Sequence, residues 1–471
     1  MNIAFITPAA DIRKSFPYRL GNSIYTRPNA ITGPLILATI LRNRGHHAEV
    51  YEELYSHVNL ERLMGADVIG ISTMTSTAPR AFAIADYFKS KGKRVVIGGM
   101  HATVAPQETL AHCDTVVTGE AEEVIADVME GRASGPVVDA GHPNDLDAAP
   151  FPDYSLLKTP CREANILTTR GCHYSCSFCS TSRMFSPYRE RGVDSVVAEM
   201  AYYKERGFRY VNFQDDNFTG NRKRAKEILA KAIEKNLIFR DVFFFGRADM
   251  VLDEELLSLL SRAHLRSVLI GFESLNPASL EYIGKKIRLE PILASVPNLG
   301  KYKIKLLASL VLGLDTDSRE DIRKAVRFCR DINAFTLQPA VLTPFPETPV
   351  YRQYAQEQRM VTKDWRYFDL MHATFHPKKM SVAELQEEFY TALLRFYSFR
   401  KSFTIMKIYG FAAGMRRLGL WLAISFAYCV TRLLDRGYFA ILKKSRPFAA
   451  PQADVDTAAL APTGTNGSAS A

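Results

Sequence analysis

The sequence contains few cysteines, and they do not form a paired pattern. Only seven of its 471 residues are cysteine, and four of these, Cys113, Cys161, Cys329 and Cys429, are scattered along the chain. Small secreted domains instead carry dense, regularly spaced cysteines that form disulfides. We therefore expect a reducing, cytoplasmic environment, in which the four scattered thiols are small core residues.

Long apolar runs are also missing. The first residues, Met1–Ile6, lack the basic segment and the extended apolar stretch of a signal peptide, and they are typical of a first strand. The longest apolar run, Leu418–Val430, has 13 residues, whereas a membrane-spanning helix needs about 20. With 47% apolar and 23% charged residues, the chain has the balance of a soluble globular protein with two or three domains.

Excess charge is confined to one segment. The net charge is +10, and the segment between Arg400 and Arg446 contributes +9 of it, with ten basic residues and a single acid, Asp435. A nucleic-acid groove would be expected to spread basic residues over the body of the protein. We therefore expect no nucleic-acid partner.

The basic segment also contains the longest apolar run. Arg416 and Arg417 precede Leu418–Val430, Arg432 follows it, and the run includes Trp421. An apolar helix with aromatic residues and basic flanks is typical of a helix that lies in the face of an anionic membrane. The alternative is a helix packed on the protein body with its charges solvated. We expect peripheral association with the inner face of the membrane.

Three cysteines are close together, at Cys172, Cys176 and Cys179, after the short apolar run Ala164–Thr169. Thiolates suit iron–sulfur clusters and zinc. A cubane cluster has four irons, so three cysteines would leave one iron open. A structural zinc site would need a fourth ligand, and His173 lies between two cysteines, where its ring would have difficulty reaching the same metal. We predict a [4Fe–4S] cluster; a zinc knuckle and a chance cluster of buried thiols are the alternatives.

Residues 1–140 alternate short apolar strands with helical segments. This pattern predicts an α/β domain of the flavodoxin-like, Rossmann-like type, with a parallel sheet covered on both faces. Ligands in such folds bind beyond the carboxyl ends of the strands, and glycines there let a flat ligand approach the backbone. The candidate binding residues at these ends are Ser72, Thr73, Gly98, Gly99, His101, Gly119 and Glu120.

A second alternating series follows a linker of turn-forming residues at 141–163. Six strand–helix units over residues 164–375 predict a partial (β/α)6 barrel of the TIM type, with functional residues at the carboxyl ends of its strands. Each carboxylate there could instead cap the next helix. The candidates beyond the cysteines are Asp215, Asp216, Asn217, Arg247, Glu273, Asp315 and Thr343.

The remainder of the chain is predicted to be helical and then disordered. Residues 376–447 form the predicted helical C-terminal extension, and Ser381 with Glu384 makes a capping box at its start. Residues 448–471 are rich in Ala, Pro, Gly, Ser and Thr, which is typical of a disordered tail.

The cysteine spacing C-x3-C-x2-C, with Phe178 before the last cysteine, resembles the signature of the radical S-adenosylmethionine (SAM) enzymes. In that family the open iron is chelated by the amino and carboxylate groups of SAM. The segments at 213–218, 270–274 and 312–317 resemble the family's strand ends beside SAM, which implies that Asp215, Asp216, Asn217, Glu273 and Asp315 lie on the SAM side.

The segments Val-Ile-Gly-Gly-Met-His at 96–101 and Val-Thr-Gly-Glu-Ala-Glu at 117–122 resemble the cobalamin-binding domains fused to many radical SAM enzymes. The familiar Asp-x-His-x-x-Gly pattern is absent, and residues 8–22 contain no histidine. The resemblance therefore implies cobalamin bound without a protein imidazole below cobalt. The alternative is a flavodoxin-like domain that has lost its ligand or binds another. For His101, a structural role remains open beside a role in ligand binding.

The resemblance implies a radical methylation. A reduced cluster would give SAM one electron, the resulting 5′-deoxyadenosyl radical would take hydrogen from an unactivated carbon, and methylcobalamin would supply the methyl group. An electron donor such as flavodoxin or ferredoxin is implied. Relatives with the same domains close rings, oxidise or join carbons instead, and these outcomes remain open.

Two other functional classes are disfavoured. A non-catalytic sensor would not need polar residues at every strand end of the barrel. A tRNA methylthiotransferase would carry cysteines for a second cluster in its N-terminal domain, whereas residues 1–150 contain only Cys113.

The substrate is expected to be a hydrophobic small molecule, such as an isoprenoid, hopanoid, fatty chain or tetrapyrrole. The first reason is that the basic segment and the longest apolar run coincide. The second is that radical methylation suits sp3 carbons, in which lipids are rich.

Overall fold

The computed structural model describes residues 1–10, 29–159, 161–434, 438 and 442, with the backbone alone for 427–434. Within these residues the chain forms two six-stranded parallel sheets and a two-stranded antiparallel sheet. The predicted tail at 448–471 lies outside the described residues, as do residues 11–28 and the basic residues Arg436, Lys443, Lys444 and Arg446.

The N-terminal sheet has the strand order β2-β1-β3-β4-β5-β6, and all of its pairs are parallel. Its strands are β1 (Asn2–Thr7), β2 (His47–Glu52), β3 (Val68–Ser72), β4 (Arg94–Gly98), β5 (Thr115–Thr118) and β6 (Val137–Asp139). The predicted parallel α/β domain is thus confirmed. The pattern did not predict β6, because this edge strand has three residues and lacks a buried apolar run.

Apolar side chains cover both faces of this sheet. Ile6, Ile69 and Ile97 belong to one buried cluster, while Phe5 and Val96 belong to the other, because successive strand residues point to opposite faces. The helices of this part are α1 (Thr32–Asn43), α2 (Ala78–Ser90), α3 (Met100–Val104), α4 (Pro106–Leu110) and α5 (Ile125–Met129).

The second sheet forms the predicted partial barrel, with the order β14-β13-β12-β11-β10-β7 and parallel pairing throughout. The strands from this part of the chain are β7 (Glu163–Ile166), β8 (Thr169–Arg170), β9 (Arg189–Glu190), β10 (Tyr210–Phe213), β11 (Asp241–Arg247), β12 (Ser267–Glu273), β13 (Lys305–Leu312) and β14 (Thr336–Val341). The apolar run at 164–169 is divided between two strands, since β8 is not part of this sheet and pairs with β9 instead.

Helices follow the barrel strands and cover them. They are α6 (Thr181–Met184), α7 (Val193–Glu205), α8 (Arg222–Glu234), α9 (Glu254–Arg262), α10 (Pro277–Tyr282), α11 (Leu289–Ser295), α12 (Asn298–Lys301), α13 (Arg319–Asp331) and α14 (Pro349–Gln356). Their apolar faces and the strands form one continuous buried core, which includes Val197, Ile228, Leu257 and Val326.

The C-terminal extension is helical, as predicted. It consists of α15 (Val382–Phe396), α16 (Phe399–Tyr409) and α17 (Phe411–Leu434), and the capping box of Ser381 and Glu384 is present. Helices α16 and α17 pack closely, since a Cβ at Gly414 would lie 2.5 Å from the Cβ of Met406. Over the part of the chain that is described, no helix combines the length and the apolar character needed to cross a membrane.

Arg417 corrects part of the surface-charge prediction. Its side chain is buried, donates to the carbonyl of Ala334 at 2.8 Å and to that of Phe335, and lies 4.5 Å from the ring of Phe396. Burial lowers the pKa of its guanidinium to about 10. Arg417 therefore holds α17 on the barrel and does not belong to a solvated basic patch.

Candidate functional site

The carboxyl ends of the two sheets face one shared cavity of about 350 Å³. Both the N-terminal sheet and the barrel contribute to its wall, so the two sets of predicted binding residues partly meet in one space. The contributors from the two parts include Ser72, Thr73, Gly98, Gly99, Gly119 and Glu120, and Leu167, Thr169, Arg170, Gly171, Gln214 and Asp216.

Glycine and small polar residues shape the N-terminal side of the cavity. Gly99 has φ +99°, and a Cβ there would lie 2.7 Å from the carbonyl oxygen of Thr73. The backbone of Thr73 donates to the carbonyl of Gly98 at 2.9 Å and accepts from the backbone N–H of His101 at 3.1 Å. These contacts join the ends of β3 and β4, and they require a residue without a side chain at Gly99.

The lining fits a large flat ligand. Backbone at Gly98 and Gly99 and the apolar side chains of Phe5, Met74 and Met100 form much of the described wall. Hydroxyl groups such as those of Ser72, Thr73 and Thr103 supply hydrogen-bonding partners at its edge. No histidine is among the lining residues in the described part of the chain. This chemistry is compatible with a corrin ring held through backbone and apolar contacts, without an imidazole ligand from the lining.

His101 lies outside this lining. Its ring is fully buried, packs edge-on against Trp365 at 5.4 Å and lies 5.9 Å from Phe82. Its Nε2 is 3.5 Å from a carboxylate oxygen of Glu108, and burial lowers the pKa of the imidazole. This predicted cobalamin residue is thus packed among aromatic rings outside the cavity lining, and its part in cobalamin binding stays a prediction.

The three cysteines lie in the loop that joins β8 to β9, and each is a partly exposed free thiol. Gly171 starts the loop with φ +82° and leaves no room for a Cβ, which would overlap the carbonyl oxygen of Phe185. The backbone N–H of Ser177 donates to the carbonyl of Ile283 at 3.1 Å, and that of Cys179 donates to Cys176 at 3.1 Å. The fold therefore holds this loop against the barrel.

The donor set fits a cluster. Each thiolate on a cubane binds a different iron, so the three sulfurs need not converge on one point. Among the described residues, no group of three or more His, Cys, Asp or Glu side chains is arranged to hold a single metal ion. Burial raises the pKa of the Cys172 and Cys176 thiols, while Arg247 acts to lower both and Lys285 acts to lower that of Cys176. These cations offset part of the rise in pKa, in the direction of the thiolate form that ligates iron.

Asp215 and Asp216 are neighbours with different surroundings. Asp215 is fully buried and accepts hydrogen bonds from the backbone N–H and the hydroxyl of both Thr168 and Thr169; burial raises the pKa of its carboxyl. Asp216 lines the cavity and accepts from the hydroxyl of Thr181 at 3.0 Å. Enclosure by protein, with a smaller contribution from Asp215, raises the pKa of Asp216 to about 6. Asp215 thus anchors the start of the cysteine loop, and Asp216 is available to a ligand.

The other predicted SAM residues lie outside the described lining. Asn217 accepts from the hydroxyl of Thr219 at 3.1 Å and shapes the turn before α8. Glu273 has φ +63° at an irregularity of β12 and pairs with Lys285 at 2.7 Å. Asp315 is paired with the fully buried Arg359 through both carboxylate oxygens. Glu273 is near enough to influence Cys176, whereas Asp315 joins the barrel to the segment after α14.

Several residues of the site were not among the sequence-based candidates. Arg170 lines the cavity directly before Gly171, and this position beside the motif was a usable signal. Lys285 gave no sequence signal, because it reaches Glu273 from the chain after α10.

A side pocket of about 140 Å³ adjoins the cavity, since Met74, Met100 and Met184 line both. Its other lining residues include Ser180, Phe345, Phe368 and Leu370.

Two family models match the chain. The radical SAM superfamily matches residues 166–329, which include the cysteine loop and most of the barrel. The B12 binding domain matches residues 32–129, which include the glycine-lined sheet edge.

Curated relatives also match the chain. The bacteriochlorophyllide d C-12(1)-methyltransferase of Chlorobaculum tepidum is 30% identical over 384 residues, which cover 78% of this chain and 83% of that protein. The hopanoid C-2 methylase of Rhodopseudomonas palustris is 29% identical over 231 residues, 47% of this chain and 44% of that protein.

Among solved structures, the radical S-adenosylmethionine methyltransferase TsrM from Kitasatospora setae, with cobalamin and a [4Fe-4S] cluster bound, matches with a TM-score of 0.67. The match covers 91% of this chain and 99% of that chain at 16% identity. At this identity the match shows a shared fold.

Proposed function

This chain belongs to the cobalamin-dependent radical SAM methyltransferase family, and we propose that it methylates an unactivated carbon of a hydrophobic, membrane-resident molecule. A [4Fe–4S] cluster, SAM and cobalamin are its cofactors. The cluster with SAM supplies hydrogen-atom abstraction, and cobalamin supplies the methyl transfer. Cys172, Cys176 and Cys179 hold the cluster in this proposal.

One observation carries the proposal. The glycine-lined edge of the N-terminal sheet and the start of the cysteine loop both line the same cavity. In the proposal cobalamin lies over Gly98, Gly99 and Gly119, and Asp216 serves the SAM side. The predicted SAM residues Asp215, Asn217, Glu273 and Asp315 act mainly by shaping the surrounding loops, because each is engaged in protein contacts. The two walls hold the reacting groups together and exclude water.

The side pocket supports a hydrophobic substrate. Eight of the twelve described lining residues are apolar, and Met74, Met100 and Met184 connect this pocket to the main cavity. Methionine adapts to irregular apolar shapes. Named relatives act on bacteriochlorophyllide d and on hopanoids, which are hydrophobic. We propose that an apolar part of the substrate occupies this pocket.

The surface of the C-terminal helices supports a membrane-resident substrate. Six of the ten large hydrophobic side chains that are exposed in the described part of the chain lie on α16 and α17. They are Phe399, Phe403, Phe411, Met415, Leu422 and Phe426. Exposed apolar side chains are normally scattered, and a group of them marks an interaction surface.

The spacing of the four on α17 places them along one side of the helix. Arg400 and Lys407 are exposed on α16, and basic residues near an anionic leaflet contribute about 1 kcal/mol each. Trp421, the tryptophan of the apolar run, is only partly exposed and lies 6.4 Å from Phe399. We therefore assign insertion to Phe411, Leu422 and Phe426. A flavodoxin or ferredoxin as electron donor stays a prediction.

The substrate is tested by comparing lipid and pigment extracts by mass spectrometry. A deletion strain should lack a methylated compound, accumulate its unmethylated precursor and recover the product with the wild-type gene. A gene with all three motif cysteines changed to alanine should not restore it. An extract that differs only in water-soluble metabolites would contradict the hydrophobic substrate.

Flotation with anionic vesicles tests the membrane contact separately. The full-length protein should float at low salt, whereas a variant with Phe411, Leu422 and Phe426 changed to serine should not. Leu252 is exposed outside the C-terminal helices, on the helical turn Ala248–Leu252, so Leu252→Ser is the matched control and should float like the wild type. If the folded wild-type protein stays in the soluble fraction, the membrane contact is wrong.

A further inference from the structure

The base of the cysteine loop carries two arginines that face each other. The loop connects β8 to β9, and in this antiparallel pair Arg170 is directly opposite Arg189. Like charges at directly opposed positions repel each other. The base of the loop therefore needs a negative group between the two side chains.

That group comes from the other half of the molecule. Glu120, in the loop after β5 of the N-terminal sheet, accepts hydrogen bonds from both Arg170 and Arg189. Arg170 also donates to Glu122, and His142 lies 2.8 Å from Glu120. One carboxylate of the N-terminal sheet thus joins the two strands that carry the cysteine loop.

The arrangement is buried. Glu120 is 5% exposed and Arg189 is 8% exposed. Removing one partner of a buried ion pair leaves an uncompensated charge, which costs much more than the loss of a surface pair. The position of Glu120 and the position of the loop base are therefore strongly linked.

The same residues also line the cavity. Glu120, Glu122, Arg170 and Gly171 all contribute to its wall, and Gly119 holds the backbone tightly there, because a Cβ at its φ of +76° would lie 2.5 Å from the carbonyl oxygen of Gly141. A ligand that fills the cavity against the end of β5 would contact the loop that contains Glu120. Glu120 in turn accepts hydrogen bonds from Arg170 and Arg189 at the base of the cysteine loop.

We propose that Glu120 is a positioning residue, which couples cobalamin in the cavity to the cluster on the cysteine loop through Arg170 and Arg189. The proposal rests on the cofactor sites given above, and it is independent of the substrate. Coupling between two binding sites is reciprocal. If bound cobalamin favours cluster binding by some factor, the bound cluster should strengthen cobalamin binding by the same factor.

The test measures this factor in the full-length protein without substrate. Hydroxocobalamin is titrated, by absorbance under anaerobic conditions, into cluster-reconstituted protein and into protein from which the cluster has been removed by a chelator. The wild type should bind at least about fivefold more tightly with the cluster, at the lower end of typical coupling. In Glu120→Gln, which keeps the shape but loses the charge, the ratio should fall to about one.

A matched control uses a second buried glutamate with several arginine partners. Glu388 pairs with Arg319, Arg323 and Arg395 on the outer helices, so Glu388→Gln should lose stability but keep the wild-type ratio. Glu122→Gln removes one ion pair of Arg170 and should give an intermediate ratio, even if Glu120→Gln does not fold. The proposal would be overturned if the wild-type protein bound cobalamin equally well with and without the cluster. It would also be overturned if folded Glu120→Gln, or Glu122→Gln, kept the same ratio as the wild type.

Discussion

The two parallel sheets present different carboxyl edges to the same cavity. The N-terminal edge exposes glycine backbone and hydroxyl groups at Ser72, Thr73, Gly98 and Gly99. The barrel edge carries many charged side chains, and several of them are already paired within the protein, as Glu273 is with Lys285. The N-terminal edge therefore lets a ligand approach the backbone closely. At the barrel edge, many of the charged side chains instead form ion pairs that stabilise the loops around the cysteines.

The largest effect expected on the barrel side is the loss of the cluster. Changing Cys172, Cys176 or Cys179 to alanine should abolish reductive cleavage of SAM, because in the proposal each thiolate would hold one iron of the cluster. The variants should still bind hydroxocobalamin, since the glycine edge is unchanged. Iron and sulfide analysis after anaerobic reconstitution should approach four of each per wild-type chain, and a full cluster in the triple variant would show that the assignment is wrong.

The next largest effect is expected on stability, when the buried carboxylate Asp215 at the barrel edge is removed. Asp215→Ala should destabilise the protein by about 2–4 kcal/mol, because it leaves the buried N–H groups of Thr168 and Thr169 without acceptors. Denaturant unfolding measures this. Asp216→Ala is the matched control, since Asp216 lines the cavity; it should change stability by less than about 1 kcal/mol and weaken SAM binding. If the two variants lose equal stability, the distinction between the neighbours fails.

The glycine edge is tested by adding one methyl group at a time. Gly99→Ala should destabilise the protein by about 1–3 kcal/mol and weaken hydroxocobalamin binding, because of its positive φ and the close carbonyl of Thr73. Gly98→Ala has an ordinary contact of 3.5 Å to Val117, so its fold should remain near wild-type stability. Equal unfolding midpoints for the two variants would contradict the geometry at Gly99.

The subtlest prediction concerns what the glycine edge does not supply. The EPR spectrum of bound cob(II)alamin should lack nitrogen hyperfine splitting from a protein imidazole, since the described lining has no histidine and residues 8–22 contain none. Labelling the protein histidines with 15N provides the control. A splitting that changes with this label would establish a histidine ligand.

Much of the fold followed from local patterns. The alternation of strands and helices was readable because strands such as Val68–Ser72 and Tyr210–Phe213 are short apolar runs. The two-residue strands β8 and β9 could not be predicted, since they are too short for any periodicity and are defined by pairing with each other.

The site was predictable in its motif but less so in its individual contacts. The sequence places Asp215 and Asp216 side by side, yet which carboxylate turns inward depends on the backbone of Thr168 and Thr169. Similarly, the sequence predicts Arg417 to be a surface charge, because no local pattern reveals that it donates to the carbonyls of Ala334 and Phe335. Long-range pairing decided both cases.

The central claim is that the two edges bring cobalamin and the cluster together across one cavity. The magnetic interaction between cob(II)alamin and the reduced [4Fe–4S] cluster tests it most directly, as the electron spin relaxation of the cobalt signal. With both cofactors loaded in the wild type, the cobalt relaxation should be clearly faster than in the triple cysteine-to-alanine variant, which binds cobalamin alone. Equal relaxation in these two proteins, with a full reduced cluster in the wild type, would contradict the shared cavity.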